Sequence, residues 1–424
     1  MHSLEAQEWM GTLFLAFAIV NTLFTKKIKN LAFYFPKKSL FHSLFYLLGE
    51  VELAFGFWGG LYLLFLFLAY DSIHVFNDLK NQSFLEPVFI FIMMTLCSTR
   101  PLLVLASKWI HSASKFLPIK KPLAFYITTL TMGPCIGSLL TEPAAMTLTA
   151  FVLLRHFFIQ NISPSLQYSS LSLLFVNVSL GGTLTSFAAP PVLMVAQKWG
   201  WNSQFMLSHF GWKALIAILV STLWITYRFR HEIIAIPWEK ETLKSDNSPP
   251  LWLTLGHGCT LFLVLLFSHQ ISILLCIFGF FLILIHMTQS HQTKLKLKES
   301  FSVFLFLSSL IVLGSHQSWW LEPLLLELKN LPLYLGAILL TAITDNAALT
   351  YLASQVPFLD NSSRYLLVAG TLVGGGLTLI ANAPNLTGYE ILRSSFGEKG
   401  ISPFQLFTAA LTPTVIAGCC FWFF

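Results

Sequence analysis

Charge is scarce in this chain of 424 residues: Asp, Glu, Lys and Arg make up 10% of the sequence, whereas 55% is hydrophobic. Soluble domains carry roughly 25% charged residues, so the composition excludes an ordinary water-soluble protein. Apolar runs long enough to cross a bilayer as helices recur along the whole chain rather than in one anchor. The sequence therefore predicts an all-α polytopic membrane protein surrounded by lipid.

Motifs of catalysis and nucleotide binding are also missing. The sequence has no H-E-x-x-H, no G-x-S-x-G and no phosphate-binding Walker loop, which disfavours an enzyme and ATP-driven transport. The six cysteines show neither C-x-x-C spacing nor His at metal-ligand intervals, so we interpret them as packing residues. We expect no enzymatic activity, no cofactor and no structural metal, and an ion gradient as the energy source.

The formal net charge of +6 does not indicate nucleic acid as a partner, because the basic residues form no single patch. Lys and Arg concentrate instead in alternate loops, as they do on the cytoplasmic side of membrane proteins. These loops are 26–38, 108–121, 228–244, 294–298 and 393–399. We therefore place them in the cytoplasm. The absence of an organelle signal favours the inner membrane of a bacterium.

Ten spans are predicted, together with two divided segments. The spans are residues 9–25, 43–68, 87–106, 168–199, 209–227, 251–268, 270–287, 301–318, 364–392 and 404–423. The segments 123–158 and 331–357 are each split at the centre by a Thr and a carboxylate. Their halves are too short for two ordinary crossings, and the loop charges alternate only if each segment returns to its own side. Both segments are therefore predicted to be re-entrant helical hairpins.

Two stretches of the sequence occur twice. TEPAAMT (141–147) matches TDNAALT (344–350), and GGTLTSFAAPP (181–191) matches GGGLTLIANAP (374–384). The first match aligns Glu142 with Asp345. In both halves a hairpin precedes a span interrupted by Gly and Pro, and the charge bias gives the halves opposite orientations. The pattern predicts two inverted-topology repeats, each with a re-entrant hairpin and an unwound transmembrane helix, as in many secondary transporters.

A polar stretch that contains Pro and Ser, RFRHEIIAIPWEKETLKSDNSPP, divides the chain near its middle. We predict four parts. Residues 1–41 form an extra helix and a cytoplasmic loop, 42–230 the first repeat, 231–250 a cytoplasmic linker, and 251–424 an extra helix plus the second repeat.

Several stretches resemble a family of sodium/proton antiporters. They are GEVELAFGFWGGL, CSTRPLLVLASKWI, TEPAAMT, TDNAALTYL and ANAPNLTGYEIL, and the resemblance covers most of the chain beyond residue 45. That family is similar to the ion-transporter superfamily of NhaD-type antiporters, arsenite permeases and citrate and dicarboxylate carriers. The resemblance implies two inverted repeats, exchange of a cation for a proton, Na⁺ and H⁺ as transported partners and, as is common in the superfamily, a homodimer.

The resemblance places the hairpin carboxylate on Asp345, beside Asn346, and repeat symmetry places a second one on Glu142. A buried carboxylate can take up a proton near neutral pH, and a cation beside it favours the charged form and displaces that proton. Hard cations prefer oxygen ligands. The candidate ligands and lining residues are Thr141, Thr344 and Asn346 at the tips, and Gly181, Gly182, Thr185, Gly374, Gly375, Thr378, Asn382 and Asn385 on the interrupted spans.

Simpler roles stay open for these residues. Thr141 or Glu142, and Thr344 or Asp345, could merely cap the second arm of each hairpin. The repeated glycines could be close-packing sites between helices. A threonine cap works without an acid, however, and ionisable groups inside a membrane are costly. The two carboxylates are therefore interpreted as functional.

Three further charges lie near span ends. Glu50 and Glu52 are two positions apart, so on a helix only one of them can face the interior. We expect that residue to serve proton access or helix packing, or both acids to lie at the interface. Arg100, just before Pro101, could pair with one of these acids or extend to the inner surface.

The predicted function is exchange of Na⁺, or Li⁺, for H⁺ through the carboxylates at the two hairpin tips. The alternative is an oxyanion, arsenite or carboxylate carrier on the same scaffold, which would bind anions at helix N-termini. Two facing acids would repel such substrates. The tips also lack the Ser-Asn-Thr triplets of dicarboxylate carriers.

Overall fold

The computed structural model describes residues 2–160, 162–237, 249–292, 294–397 and 400–424. The middle of the predicted linker, 238–248, lies outside the described residues. Throughout the described part the chain is helical and contains no strand. This agrees with the all-α class that the composition predicts.

The first half of the chain, before residue 238, contains thirteen α-helices in its described part. They are α1 (His2–Ala32), α2 (Leu40–Leu48), α3 (Val51–Ala69), α4 (Ser72–Asn81), α5 (Leu85–Cys97), α6 (Arg100–Ser114), α7 (Lys121–Ile136), α8 (Glu142–His156), α9 (Pro164–Gly181), α10 (Pro190–Trp199), α11 (Ser203–Met206), α12 (Trp212–Arg228) and α13 (Arg230–Ala235). A short π-helical turn, Leu207–Gly211, joins α11 to α12.

The second half, after residue 248, contains nine α-helices in its described part. They are α14 (Leu251–Leu266), α15 (Ile271–Met287), α16 (Leu297–Gly314), α17 (Ser318–Glu327), α18 (Asn330–Thr341), α19 (Asn346–Ser354), α20 (Asn361–Gly374), α21 (Pro384–Leu392) and α22 (Pro403–Phe423). Helices α4, α11, α13 and α17 are additions to the predicted set.

Fewer helices than predicted are long and apolar enough to cross a membrane unbroken. The described residues contain six: Glu5–Thr25, Val51–Ala69, Glu142–Gln160, Ser203–Arg228, Leu297–Gly314 and Pro403–Phe423. The pair α5 and α6 makes a seventh if it is counted as one bent span. Residues Glu142–Gln160 meet the length of a crossing, so the inference that this arm is too short was wrong, and length alone does not require a hairpin there.

Several predicted spans are divided. Residues 43–68 fall on α2 and α3, and 87–106 bends by 69° between α5 and α6. The extended backbone of Thr99 separates the two helices, and Pro101, in the first turn of α6, prevents one continuous helix because it has no N–H to donate to the carbonyl of Cys97. Residues 251–268 and 270–287 correspond to α14 and α15, which are apolar but short.

Two helices stop inside the protein and restart after a stretch without α-helix, which in the first case begins with a 3₁₀ turn, Gly182–Leu184. Helix α9 ends at Gly181 and α10 begins at Pro190, while α20 ends at Gly374 and α21 begins at Pro384. A proline in the first helical turn gives up no hydrogen bond and has the helical φ already fixed, which favours both restarts. We call residues 182–189 the first break and residues 375–383 the second break.

Helices from the two halves pack against each other around these breaks. Helix α8 contacts α21, α10 contacts α19, and α9 contacts both α20 and α22. Small residues permit the closest approach: the Ser179 hydroxyl donates to the carbonyl of Leu372 at 2.7 Å, and Gly376 lies against the backbone of Val176. Close contact through small residues is typical of helix packing in membranes. The centre of the fold is therefore shared by both halves.

Candidate functional site

The turn between α7 and α8, residues 137–141, directs Glu142 into the protein interior. Thr141 is the N-cap of α8, and its hydroxyl accepts the N–H of Ala144 at 3.4 Å. Pro143 follows in the first turn. The N–H of Glu142 donates to the carbonyl of Ala188 in the first break, at 3.4 Å. Because Thr141 provides the cap, the Glu142 side chain is left for another role.

The Glu142 carboxylate is completely buried and bonded to the other half of the chain. Asn382, in the second break, donates from Nδ2 to Glu142 Oε2 at 3.0 Å. Within the described structure, Glu142 Oε1 is buried and accepts no hydrogen bond. Gly182 lies beside it, since a Cβ added there would be 2.8 Å from Oε1. A buried carboxylate oxygen without a partner is costly, so this atom is expected to meet a proton, a cation or a water molecule.

The turn between α18 and α19, residues 342–345, places Asp345 at the start of α19. Its Oδ1 accepts the N–H groups of Ala347 at 2.8 Å and Ala348 at 3.2 Å, so Asp345 is the N-cap. Thr344 does not cap, because its hydroxyl donates to the carbonyl of Leu340 at 2.7 Å. The predicted alternatives are thus resolved differently at the two turns: a threonine caps α8 and an acid caps α19.

The two turns make matching contacts with the two breaks, one residue out of the register that the sequence match suggests. In the first matching pair, the N–H of Glu142 donates to the carbonyl of Ala188 at 3.4 Å, and the N–H of Asn346 donates to the carbonyl of Ala381 at 3.0 Å. In the second pair, the Thr185 hydroxyl donates to the carbonyl of Ser138 at 2.9 Å, and the Thr378 hydroxyl donates to the carbonyl of Ala342 at 2.7 Å. Glu142 therefore corresponds to Asn346 in its contacts, and Thr141 corresponds to Asp345. The sequence match pairs Glu142 with Asp345, whereas these contacts pair Glu142 with Asn346.

Three buried asparagines lie at the start of α19 and around the second break. Asn346 is fully buried, and neither its Oδ1 nor its Nδ2 has a partner among the described residues. Asn385 donates from Nδ2 to the carbonyls of Gly375 at 2.8 Å and Thr378 at 2.9 Å, while its Oδ1 is buried without a donor from the described chain. Asn382 completes the set through its bond to Glu142. The site thus offers buried amide and carboxylate oxygens, the ligand type that hard cations prefer.

The acids lie close enough to act on one another electrostatically. Asp345 acts on Glu142, and Glu52 acts on Asp345, in each case with charge of the same sign. Two like charges in a low-dielectric interior repel each other strongly. This repulsion disfavours ionisation of both acids together, and a cation close to them would favour it.

The remaining predicted residues of the breaks support the backbone. The hydroxyls of Thr185 and Thr378 donate to carbonyls of the two turns, as given above, and so fix each break to its turn. Gly181 and Gly374 pack against the carbonyls of Pro134 and Ile338, so these glycines both end a helix and permit close packing. Gly375 lies beside Asn346, as Gly182 lies beside Glu142.

Two buried polar residues were missed by the sequence analysis. Ser138 donates to the carbonyl of Gly181 at 2.5 Å and accepts the N–H of Leu184 at 3.0 Å. Asn177 donates to the carbonyl of Leu130 at 2.8 Å and to the Thr222 hydroxyl at 3.0 Å. Both are polar residues within apolar runs, and this feature of the sequence could have identified them as buried hydrogen-bonding residues.

The three further charged residues of the sequence analysis, Glu50, Glu52 and Arg100, lie in different surroundings. Glu50 forms an ion pair with Lys29, with 3.7 Å between Oε1 and Nζ, and both side chains are partly exposed. Glu52 instead lines a small cavity together with Asp345. Of these two acids, Glu52 is therefore the one that faces the interior. Arg100 is partly buried at the first residue of α6, beside the bend after α5.

A larger cavity, of about 360 Å³, opens beside the first break. Its lining includes Glu86, His269, Asn202 and, from the break itself, Ser186 and Phe187. These two residues immediately precede Ala188, the residue that accepts the N–H of Glu142. The cavity thus brings a partly polar space, large enough for several water molecules, close to the Glu142 turn.

A polytopic helical protein with broken helices and buried acids at their junction has the features of a secondary transporter. A family model described as "Putative Na+/H+ antiporter" matches residues 6–424, so the chain belongs to this family. A search of curated proteins finds no match to the chain. Family membership makes the chain a cation/proton antiporter of the membrane, with Na⁺ and H⁺ as transported ions, and a transporter rather than an enzyme.

Proposed function

We propose that this protein exchanges Na⁺, or Li⁺, for H⁺ at one buried site formed by Glu142, Asp345 and the asparagines around them. The main support for this proposal is the hydrogen bonding of the Glu142 carboxylate. Its Oε2 accepts a hydrogen bond from Asn382 in the other half, and its Oε1 is buried without a partner in the described structure. Such an oxygen is available to a proton or to a cation.

Competition for this oxygen produces exchange. With a proton on Glu142 that acid is neutral, and the site loses one of the two negative charges that attract Na⁺. When Na⁺ binds, Glu142 Oε1, Asn346 Oδ1 and Asn385 Oδ1 can supply oxygen ligands, and the cation favours the charged carboxylate, so the proton leaves. Asp345 supplies the second negative charge beside the site. One ion therefore replaces the other, and simultaneous occupancy is disfavoured.

The proposed scaffold is two inverted repeats, the first at residues 42–230 and the second within 251–424 together with an extra helix, each repeat with a hairpin and an unwound helix. The matching contacts of the two turns with the two breaks support this arrangement, as does the charge bias of the loops. It extends the family assignment to the ion-transporter superfamily. In such a scaffold the shared site opens to one side at a time when one half moves against the other, and the cavity beside Ser186 would be one access route.

The arrangement favours a cation over the oxyanion, arsenite or carboxylate alternative. An anion carrier needs free N–H groups at a helix N-terminus. At α19 the N–H groups of Ala347 and Ala348 are already bonded to Asp345, and at α8 the N–H of Ala144 is bonded to Thr141. The protein's own side chains therefore occupy the positions that an anion would use.

Everted vesicles that contain the protein test this proposal. A respiration-driven pH gradient is established, and salts are added while a fluorescent dye reports the gradient. We expect Na⁺ or Li⁺ to dissipate the gradient in vesicles with the wild-type chain and not in vesicles with Glu142→Gln. Dissipation by arsenite, citrate or succinate with no response to Na⁺ or Li⁺ would overturn the proposal in favour of the anion carrier.

A further inference from the structure

Lys296, the residue before α16, forms a hydrogen bond to the first half of the chain. Its Nζ donates to the hydroxyl of Thr147, in α8, at 3.3 Å. Thr147 is buried and lies five positions after Glu142, which is about 7.5 Å along a helix. The Thr147 hydroxyl itself donates to the carbonyl of Pro143 at 2.8 Å. A lysine of the second half therefore contacts the helix that begins at Glu142, close to the candidate site.

The main chain of Lys296 is fixed at the start of α16. Its carbonyl accepts the N–H of Ser300 at 3.0 Å and the Ser300 hydroxyl at 2.9 Å. Helix α16 in turn packs against α19, the helix that Asp345 caps, and the Tyr351 hydroxyl of α19 donates to the carbonyl of Ile311 in α16 at 3.2 Å. The Lys296 side chain thus connects α8, on one side of the candidate site, to the packed pair of α16 and α19 on the other.

The matching threonine of the second half is bonded differently. The sequence repeat aligns Thr147 with Thr350. Both hydroxyls donate to the carbonyl four residues earlier. Thr350 then shares its second hydrogen bond with Thr371 of α20, in its own half, at 3.1 Å, whereas Thr147 accepts from Lys296 of the other half. The bond across the halves is thus specific to α8.

The two sides of the candidate site also differ. The charge bias of the loops puts residues 294–298, and with them Lys296, on the cytoplasmic side. By the same bias the loops at 200–202 and 268–269 lie on the opposite side, where they line the cavity of about 360 Å³ that reaches Ser186 in the first break. A cavity therefore approaches the site from outside, while a bonded lysine joins the surrounding helices on the cytoplasmic side.

We propose that the hydrogen bond between Lys296 and Thr147 is the cytoplasmic gate of the exchanger, closed in the state that the structure shows. The bond holds α8 to α16, so the cytoplasmic approach to Glu142 opens when the bond breaks. The Lys296 ammonium also repels an incoming cation while the gate is closed. A single hydrogen bond is weak enough to break in every transport cycle. This inference rests on the proposed exchange function and adds the element that closes one side of the site.

Thiol labelling from the cytoplasmic side tests the gate independently of transport. Ala150→Cys is the reporter, because Ala150 is fully buried and lies three residues after Thr147 on the same face of α8. A membrane-impermeant maleimide is added to inside-out vesicles, and labelling of the peptide that contains residue 150 is followed by mass spectrometry. We expect Lys296→Met or Thr147→Val to make labelling about fivefold faster. The two changes together should add nothing further, because they remove the same bond.

Matched variants make the result specific. Lys298→Met removes an exposed lysine two residues further along the chain and is expected to leave the labelling rate unchanged. Lys296→Arg keeps the charge and the donor, so its labelling rate should stay close to that of the reporter alone. The native Cys97, buried in α5, reports general loosening of the protein and is expected to stay unlabelled throughout. If Lys296→Met does not fold, Thr147→Val, which removes only the hydroxyl at nearly constant shape, decides the test.

A reversible cross-link tests whether the gate opens during exchange. In the double variant Thr147→Cys with Lys296→Cys, a short bifunctional methanethiosulfonate joins the two positions, and dithiothreitol releases them. We expect Na⁺-driven proton movement in liposomes to fall about tenfold or more on cross-linking and to return on reduction, because a closed gate stops the cycle. Either single variant, treated in the same way, should not respond to the reagent.

Three outcomes would overturn the inference. Reporter labelling that Lys296→Met and Thr147→Val leave unchanged would show that the bond does not close the cytoplasmic side. Labelling of Cys97 together with the reporter would make the bond a general packing contact, and undiminished exchange in the cross-linked protein would show that the bond need not break. Failure of the proposed function looks different: the wild-type protein would show no Na⁺-driven proton movement, while the labelling rates would still decide whether the bond closes the cytoplasmic side.

Discussion

Asn382 donates from Nδ2 to Oε2 of Glu142 at 3.0 Å, which joins residues 240 positions apart in the chain, and both side chains are buried. The bond links the first half of the molecule to the second at the point where both helix breaks meet. Oε2 of Glu142 is thus hydrogen-bonded, while Oε1 has no partner among the described residues. The orientation of the candidate ion-binding acid in one half thus depends on an amide in the other half.

Removal of this amide is expected to weaken cation binding. In Asn382→Ala, the Glu142 carboxylate loses the donor that orients it, and a hydrogen bond to a charged group contributes about 1.5 to 3 kcal/mol. We therefore expect the Na⁺ Kd of purified protein to rise about tenfold or more, measured by ²²Na⁺ binding. Thr344→Ala is the matched control, because that hydroxyl bonds only the Leu340 carbonyl among the described residues. Equal Kd values for the two variants would contradict the role of Asn382.

Gly182 is expected to be intolerant of a side chain for a reason specific to the site. A Cβ at this position would lie 2.8 Å from Cγ and Oε1 of Glu142, so Gly182→Ala must displace the carboxylate. We expect exchange in vesicles to be lost while the protein remains monodisperse in detergent. Gly60→Ala is the control, because an added Cβ there meets no atom of the described structure within 4 Å. Exchange at the wild-type rate in Gly182→Ala would show that the space beside Oε1 is not needed.

Asp360 gives a prediction about pH and stability outside the site. It is an exposed N-cap of α20, and hydrogen bonds from the Ser363 hydroxyl and backbone N–H hold the pKa of its carboxyl below the usual value. Because the folded pKa is lowered, the carboxylate stabilises the fold above its unfolded pKa of about 3.9, and this contribution is lost as the pH falls through the folded pKa.

The measurement is thermal unfolding in detergent. Asp360→Ala is expected to destabilise the protein by about 1 kcal/mol at neutral pH, the usual value of an N-cap. Asp360→Asn keeps a capping oxygen without a charge, so it should unfold close to the wild-type temperature at neutral pH and lose less stability on acidification. An Asp360→Ala protein as stable as wild type at neutral pH would rule out a stabilising cap.

The sequence contained enough to find the parts of the site and not enough to assemble them. Gly181, Pro190 and Pro384 fix where helices stop and restart, and these signals are local, so the positions of both breaks could be predicted. The partnership of Glu142 with Asn382 could not, because nothing near either residue specifies a contact across 240 positions.

The register of the two turns was missed for a related reason. Thr141 with Glu142 and Thr344 with Asp345 are the same pattern in sequence, but the backbone of each turn decides which side chain reaches the first N–H groups of the helix. The number of unbroken spans was overestimated because hydropathy does not register a bend such as that at Pro101.

The most direct test is the pH dependence of Na⁺ binding to the purified wild-type protein and to Glu142→Gln. If Na⁺ and H⁺ compete for one carboxylate, the wild-type Na⁺ Kd should rise about tenfold for each unit of pH below the range in which that carboxylate titrates, with one proton released per Na⁺ bound. Glu142→Gln should bind Na⁺ weakly with no proton release attributable to that acid. A wild-type Na⁺ Kd that is independent of pH, with no proton release, would contradict the shared site.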